Sequence, residues 1–300
     1  MENKSIKTKK MINYHILTFI LLLSYFALSS ERCGITKINY YNEITISINK
    51  IGKHYILSKG IATKLNYSGP MPDEVIINGY NQSEVNPIVN LTAPENNITL
   101  RWNSLVNDCY GMFNGVSNIS KIDVSKFDTS KVTNMHIFFK DLNLLTSLEL
   151  SNFNTSSVAD MNAMFLGCSS LISLDLSNFN TSSVIDMTSM FYNCKSLISL
   201  DLRNFNTSLV TDMQSMFFNC KSLIYLNLIS FTENQLSLTT TEIFDGINNT
   251  LIYCINETKT SKIKSAIILK SANKNECENI CFNKYRIIDF KKKNVYQIVQ

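Results

Sequence analysis

Histidine is nearly absent from this chain: three in 300 residues, His15, His54 and His136, far apart in sequence. That scarcity leaves no Ser-His-Asp or Cys-His set to argue for and no histidine-rich metal site. No Gly-rich phosphate loop occurs either. Proline (4) and glycine (9) are scarce, so Asn, Ser and Thr must carry the turns, their short polar side chains bonding back to the backbone. The net charge of +4 is too weak for a nucleic-acid partner. What remains is a chain with 45% apolar residues, enough to exclude a disordered polymer. These absences predict a protein that is not an enzyme and uses no cofactor and no metal.

Long apolar runs are also lacking, with one exception. Ile16 to Leu28, "ILTFILLLSYFAL", follows the basic "KSIKTKK" and precedes "ALSS", with small residues at Ala27 and Ser29. This is the tripartite pattern of a secretory signal, assigned to residues 1–30. The run falls short of the ~20 residues that span a bilayer; an uncleaved anchor needs the span to extend back through "MINYH". The C-terminal "KKKNVYQIVQ" offers no second span and no hydrophobic tail for a lipid anchor. The expected location is secreted or at the cell surface, with membrane attachment only through such an anchor. On that route the N-x-S/T sequons become candidate glycan sites: Asn66, Asn81, Asn90, Asn97, Asn118, Asn154, Asn180, Asn206, Asn248 and Asn256.

The chain is rich in one thing, itself. "LISLDLSNFNTSSVIDMTSMFYNCKS" (171–196) is followed by "LISLDLRNFNTSLVTDMQSMFFNCKS" (197–222), identical at 21 of 26 positions. Phe127, Phe153, Phe179, Phe205 and Phe231 keep the period of 26, as do Met135, Met161, Met187 and Met213. Such periods mark stacked repeat architectures. Within a unit, Leu171, Leu174 and Leu176 follow an L-x-x-L-x-L spacing whose end alternates with polar residues, a half-buried strand. "SNFNTSSV" is a turn with inward Phe179 and Val184. Met187, Met190, Phe191 and Cys194 sit at i, i+3, i+4 and i+7, one stripe of a short helix, with Asp186 placed to cap it. No unit buries its own apolar face, so stacking must.

These residues carry a resemblance. "LxSLDLSNFNTSSVxDMxxMFxxCxSL" resembles the BspA-like leucine-rich-repeat surface proteins in their 26-residue form, over residues 107–250. The resemblance implies an α/β, right-handed solenoid with a parallel sheet on one face and short helices on the other. It also implies attachment or recognition at a microbial cell surface, and it carries over no catalytic residues. One departure stands out. The slot three residues after the last strand leucine, commonly Asn, holds Phe179 and Phe205, so the Asn ladder of such repeats is expected to be absent.

Residues 31–106 lack the repeat. "NEITISINK", "KHYILSK", "DEVIINGY" and "NNITLRW" read as strands of an N-terminal cap that covers the first unit's sheet edge. At the other end, within 251–300, "LIYCIN" copies the strand motif and is expected to close the stack without a helix after it. Cys168, Cys194 and Cys220 fall in the inward stripe, and Cys109 in an equivalent slot, as inert buried thiols. Cys254, Cys277 and Cys281 differ from these, and two of them are placed to staple the tail; the connectivity among Cys33, Cys254, Cys277 and Cys281 is not fixed by spacing.

One outward feature recurs. Asp123, Glu149, Asp175 and Asp201 share a phase, with Asn227 next and Tyr225 beside them, so they should form an acidic column on the sheet face. Like charges directly opposed on neighbouring strands are unfavourable, and a basic partner would relieve them. These are the candidate ligand-binding residues. The expected partner is a protein or glycan on another cell or matrix surface; the alternative is a glycosylated structural coat or spacer with no specific ligand.

Overall fold

The computed structural model describes residues 42–58, 67–233, 238–256 and 258–269. The leader, the basic tail, Asn66, Cys33, Cys277 and Cys281 lie outside the described residues.

The cap is built from alternation. β1 (Asn42–Ile48) buries every second residue, Ile44 and Ile46 among them. β6 (Asn96–Trp102) does the same with Ile98, Leu100 and Trp102, and the two pair antiparallel, Ile44 opposite Leu100. β3 (Glu74–Ile77) pairs with β6, and β4 (Tyr80–Asn81) with β3. β2 (Gly52–Tyr55) and β5 (Ile88–Leu91) make a separate antiparallel pair. On its other edge β1 pairs antiparallel with β7 (Ile119–Phe127), which is the strand of the first complete repeat. The five-stranded order is β4-β3-β6-β1-β7.

Among the described residues beyond β7, regular parallel pairing appears at β8 (Ser199–Asp201), β9 (Tyr225–Leu228) and β10 (Ile252–Ile255). Among the described residues no α-helix occurs in the repeats. Among the described residues the α-helix is α1 (Ser261–Ile268), and most of the regular strand is antiparallel. The expected α/β solenoid, with one continuous parallel sheet backed by helices, is therefore wrong: this is a mostly-sheet fold. The expectation that no helix follows "LIYCIN" is wrong too. α1 buries Ile263 and Ile267, and its N-terminal amides at Lys262 and Ile263 are capped from afar by the Glu233 carboxylate at 2.9 and 2.7 Å.

The repeat units stack without helices because their backbone groups bond outward. In 187–194, Met190, Tyr192 and Cys194 close turns onto residues three back. The alternate amides of Met187, Ser189, Phe191 and Asn193 donate instead to Asp212, Gln214, Met216 and Phe218 of the next unit, at 2.9–3.0 Å. An α-helix would turn those amides onto its own residues four back. Two left-handed residues per unit aim them along the stack, Ser189 (φ 56°) and Asn193 (φ 60°) here. The second of these columns reads Gly115, Asp141, Gly167, Asn193, Asn219 and Gly246, residue types that tolerate this conformation. Asp186 accepts from the Thr188 amide at 2.7 Å, so it caps a turn rather than a helix. Its column, Asp108, Asn134, Asp160, Asp186 and Asp212, is joined by parallel bridges one period apart.

The inward set is as the spacing predicts. Met187, Met190, Phe191 and Cys194 are buried, and two columns of phenyl rings run through the core. Phe153, Phe179, Phe205 and Phe231 are 6.4–6.5 Å apart, and Phe139, Phe165, Phe191, Phe217 and Phe244 are 5.6–5.7 Å apart. Two polar columns tie the units as well. Thr129, Thr155, Thr181 and Thr207 are buried, each hydroxyl donating to one carbonyl of the next unit and accepting the amide of the same residue. The Asn ladder, expected to be absent, exists one residue earlier than the usual slot. Asn178 Nδ2 donates to the carbonyls of Leu150 and Phe153 at 3.0 and 2.9 Å, and Asn152 donates to those of Val124 and Phe127.

Candidate recognition groove and outer strand face

The outward column is where its phase places it, but its members differ. Asp123, Glu149 and Asp175 are exposed, Asp201 is half-buried, and Asp201 lies opposite Asn227 across the β8–β9 ladder. The carboxylates are not a bare repulsive array. Asp123, Asp175 and Asp201 each accept, through Oδ1, the amide two residues on (Ser125, Ser177, Arg203) at 2.9–3.1 Å. Asn227 does the same to Ile229 at 3.1 Å. The aspartates are thus local turn formers first. Asp201 is also ion-paired with Arg203, whose Nε donates at 2.8 Å. Tyr225 is half-buried beside this pair; burial, then the negative charge of Asp201, pushes its phenol up.

The structure separates these residues into two groups. Asp123 and Glu149 meet in a shallow groove of about 450 Å³, between the β1–β7 pair and the segment 146–152. Thr45, Ser47, Lys121 and Ser151 line it with them. Asp175, Asp201 and Tyr225 lie on later units and do not line the groove. Asp123 is held below the usual carboxylate range by the Ser125 hydroxyl and amide, so it is charged at neutral pH. Sequence reasoning missed the groove's hydroxyl wall, because β1 contributes Thr45 and Ser47 through an antiparallel pairing that the repeat does not announce.

The apolar part of the outer face is a column of isoleucines. Ile172 is exposed, and Ile198, Ile224 and Ile252 are half-buried, their amides linked unit to unit (Ile172 to Thr146 O, Ile198 to Ile172 O, and onward). The opposite wall is chemically quiet. Cys168, Cys194 and Cys220 are free and buried, each thiol donating to a backbone carbonyl at 3.1–3.2 Å. Burial pushes Cys168 and Cys220 up to about 12, and Cys109 and Cys194 upward as well. Cys254 is disulfide-bonded. His136 packs against Tyr110, with Nδ1 3.3 Å from Asp160, and His54 Nε2 lies 3.1 Å from the Ile51 carbonyl. No group of three or more potential ligating side chains that could hold a metal occurs among the described residues.

Of the sequons, Asn154, Asn180 and Asn206 are exposed at one phase of successive units, as are Asn81, Asn90 and Asn97 in the cap. Asn118, Asn248 and Asn256 are half-buried, and Asn118 accepts from Lys50 at 2.8 Å.

Residues 105–230, the stacked units, match a family model described as "Mycoplasma protein of unknown function, DUF285". The chain is similar to that family over this stretch. Comparison with curated proteins gave no match, and comparison with solved structures gave none. Among the described residues no helix is long and apolar enough to cross a membrane.

Proposed function

We propose that this chain is a non-enzymatic recognition protein, displayed at a cell surface or secreted, that binds a protein or glycan through the exposed strand face of its stacked units. One observation carries the reading. The outer positions of successive units hold polar and charged side chains at a fixed spacing, set by a backbone that bonds from unit to unit. A rigid, repeated surface loses little freedom on binding, the main advantage of preorganisation. The leader supports export, and the resemblance to BspA-like repeats supports a surface role.

A coat or spacer is the competing reading, favoured by the exposed column Asn154, Asn180 and Asn206. The two separate cleanly. Purified full-length chain, stripped of any glycan, is incubated with panels of intact cells and immobilised matrix proteins. A recognition protein binds a subset of them saturably. A spacer binds none, and that result would end the recognition reading.

A further inference from the structure

The stacking ladder has a gap, and the gap lies in the groove. Later units are joined on the strand side by an amide one residue past the first leucine: Ile172 to Thr146 O, Ile198 to Ile172 O, Ile224 to Ile198 O, Ile252 to Ile224 O, at 2.8–3.2 Å. The equivalent bond from Thr146 to Ser120 is missing, and no backbone hydrogen bond joins β7 to residues 146–152. β7 is also the end strand of its five-stranded sheet. The two sides touch instead through Asn152, whose Nδ2 donates to Val124 O at 2.8 Å. That carbonyl therefore points away from β1. Ile122 has the same parity on β7, and strand residues alternate the side toward which their backbone groups point. The Ile122 amide and carbonyl thus face the groove.

A strand edge left without a ladder is a template for another extended chain. Around this edge stand two carboxylates, Asp123 and Glu149, against one lysine, Lys121. Hydroxyls from Thr45, Ser47 and Ser151 supply further hydrogen bonds. No aromatic ring lines the groove, so a sugar would find no face to stack on, whereas an extended peptide needs none. The groove's volume lies within the ~300–1,000 Å³ range of small-ligand sites, suited to a few residues and not to a folded domain.

We infer that the groove between β7 and residues 146–152 binds an extended, lysine- or arginine-bearing peptide segment of a partner protein, which adds its backbone to the β7 edge and sets its cation against Asp123 and Glu149. This rests on the recognition reading above and names the kind of partner and where it sits.

The test uses the full-length chain and a displayed library of random octapeptides. Selected peptides should carry Lys or Arg and lack proline at their centre. One selected peptide is then synthesised in two backbone N-methylated series, one for each parity. Methylation at the parity that faces β7 should abolish binding, and methylation at the other should leave it. Asp123→Asn with Glu149→Gln should weaken the unmethylated peptide roughly tenfold, as for a lost interfacial charge pair. Asn227 already serves in the Asp123 slot of a later unit, so this variant should keep the fold, and an unchanged melting curve checks that. The proposal is overturned if no peptide is selected, if both methylated series bind alike, or if the carboxylate variant binds as tightly as the parent. It is also overturned if a glycan array binds the groove and peptides do not. In each of these cases continued binding of the chain to intact cells would leave the recognition reading standing, while loss of all surface binding would sink that reading itself.

Discussion

The hydroxyl of Thr155 donates to the carbonyl of Asn180 at 2.9 Å and accepts the amide of the same Asn180 at 2.9 Å. One buried side chain thus closes both backbone groups of a residue 25 positions away, and Thr129, Thr181 and Thr207 repeat the arrangement. Where ordinary sheets use backbone ladders to join strands, this corner of the stack uses a side-chain ladder.

Removing the hydroxyl should be costly for that reason. Thr181→Val keeps the shape but leaves the amide and carbonyl of Asn206 without their partner. Each orphaned, partly buried group costs on the order of 1–3 kcal/mol, so urea denaturation should show a loss of about 2 kcal/mol or more. Thr181→Ser keeps the hydroxyl and should lose less. Equal losses in the two variants would show that the methyl group, not the hydroxyl, matters here.

The left-handed columns give a prediction of opposite sign. Ser189 sits at φ 56°, where a β-carbon is penalised and glycine is not. Ser189→Gly should stabilise by about 0.5–1 kcal/mol, seen as a raised Tm. Gly167 (φ 75°) is the reverse case, since a β-carbon there would run into the Asp141 carboxylate. Gly167→Ala should lower the Tm.

How much of this was written in the sequence depends on what copies what. Side-chain direction was legible because every inward residue recurs at 26. Met187, Met190, Phe191 and Cys194 are buried as their spacing requires. The backbone beneath them was not legible. Consecutive turns about four residues long place side chains at i, i+3, i+4 and i+7 just as a helix does, so the stripe cannot tell the two apart. The sign that could have done so is the recurring Gly115, Asp141, Gly167, Asn193, Asn219, Gly246 column, whose members share a taste for left-handed backbone. Thr129, Thr155, Thr181 and Thr207 recur in four successive units, yet they look like ordinary turn residues until their burial is seen. The Asn ladder lies at Asn178, one residue before the slot that Phe179 fills, so the slot itself announces its absence. Of the candidate site, the phase of Asp123, Glu149, Asp175 and Asp201 was legible. Their division by a groove was not, because that depends on β1 pairing antiparallel with the first unit.

The buried thiols set an alkaline limit. In the folded chain burial pushes Cys168 and Cys220 up to about 12, from an ordinary value of 9.0. Above pH 9 the unfolded chain releases these protons while the folded chain keeps them, so the unfolded state binds fewer protons and stability falls as pH rises from 9 toward 12. Replacing both by Ala should flatten that decline in melting curves taken across this range. At pH 8 the native protein should leave Cys109, Cys168, Cys194 and Cys220 unlabelled by a thiol reagent, with labelling appearing on denaturation. Rapid labelling of the native protein at these positions would contradict the burial.

The central claim is that the outer strand face, with its carboxylate column, is a recognition surface. Its most direct test compares the parent chain with Asp123→Asn/Glu149→Gln/Asp175→Asn/Asp201→Asn on the cell surfaces that the parent binds, at low and high ionic strength. Asn227 shows that an amide can hold the same local turn, so the fold should persist. The expected result is binding by the parent that weakens as salt rises, since exposed charges are screened within about 10 Å at 0.1 M, and weak, salt-insensitive binding by the variant. Equal binding by both chains at both ionic strengths would show that the column is only a solvated face and would contradict the account.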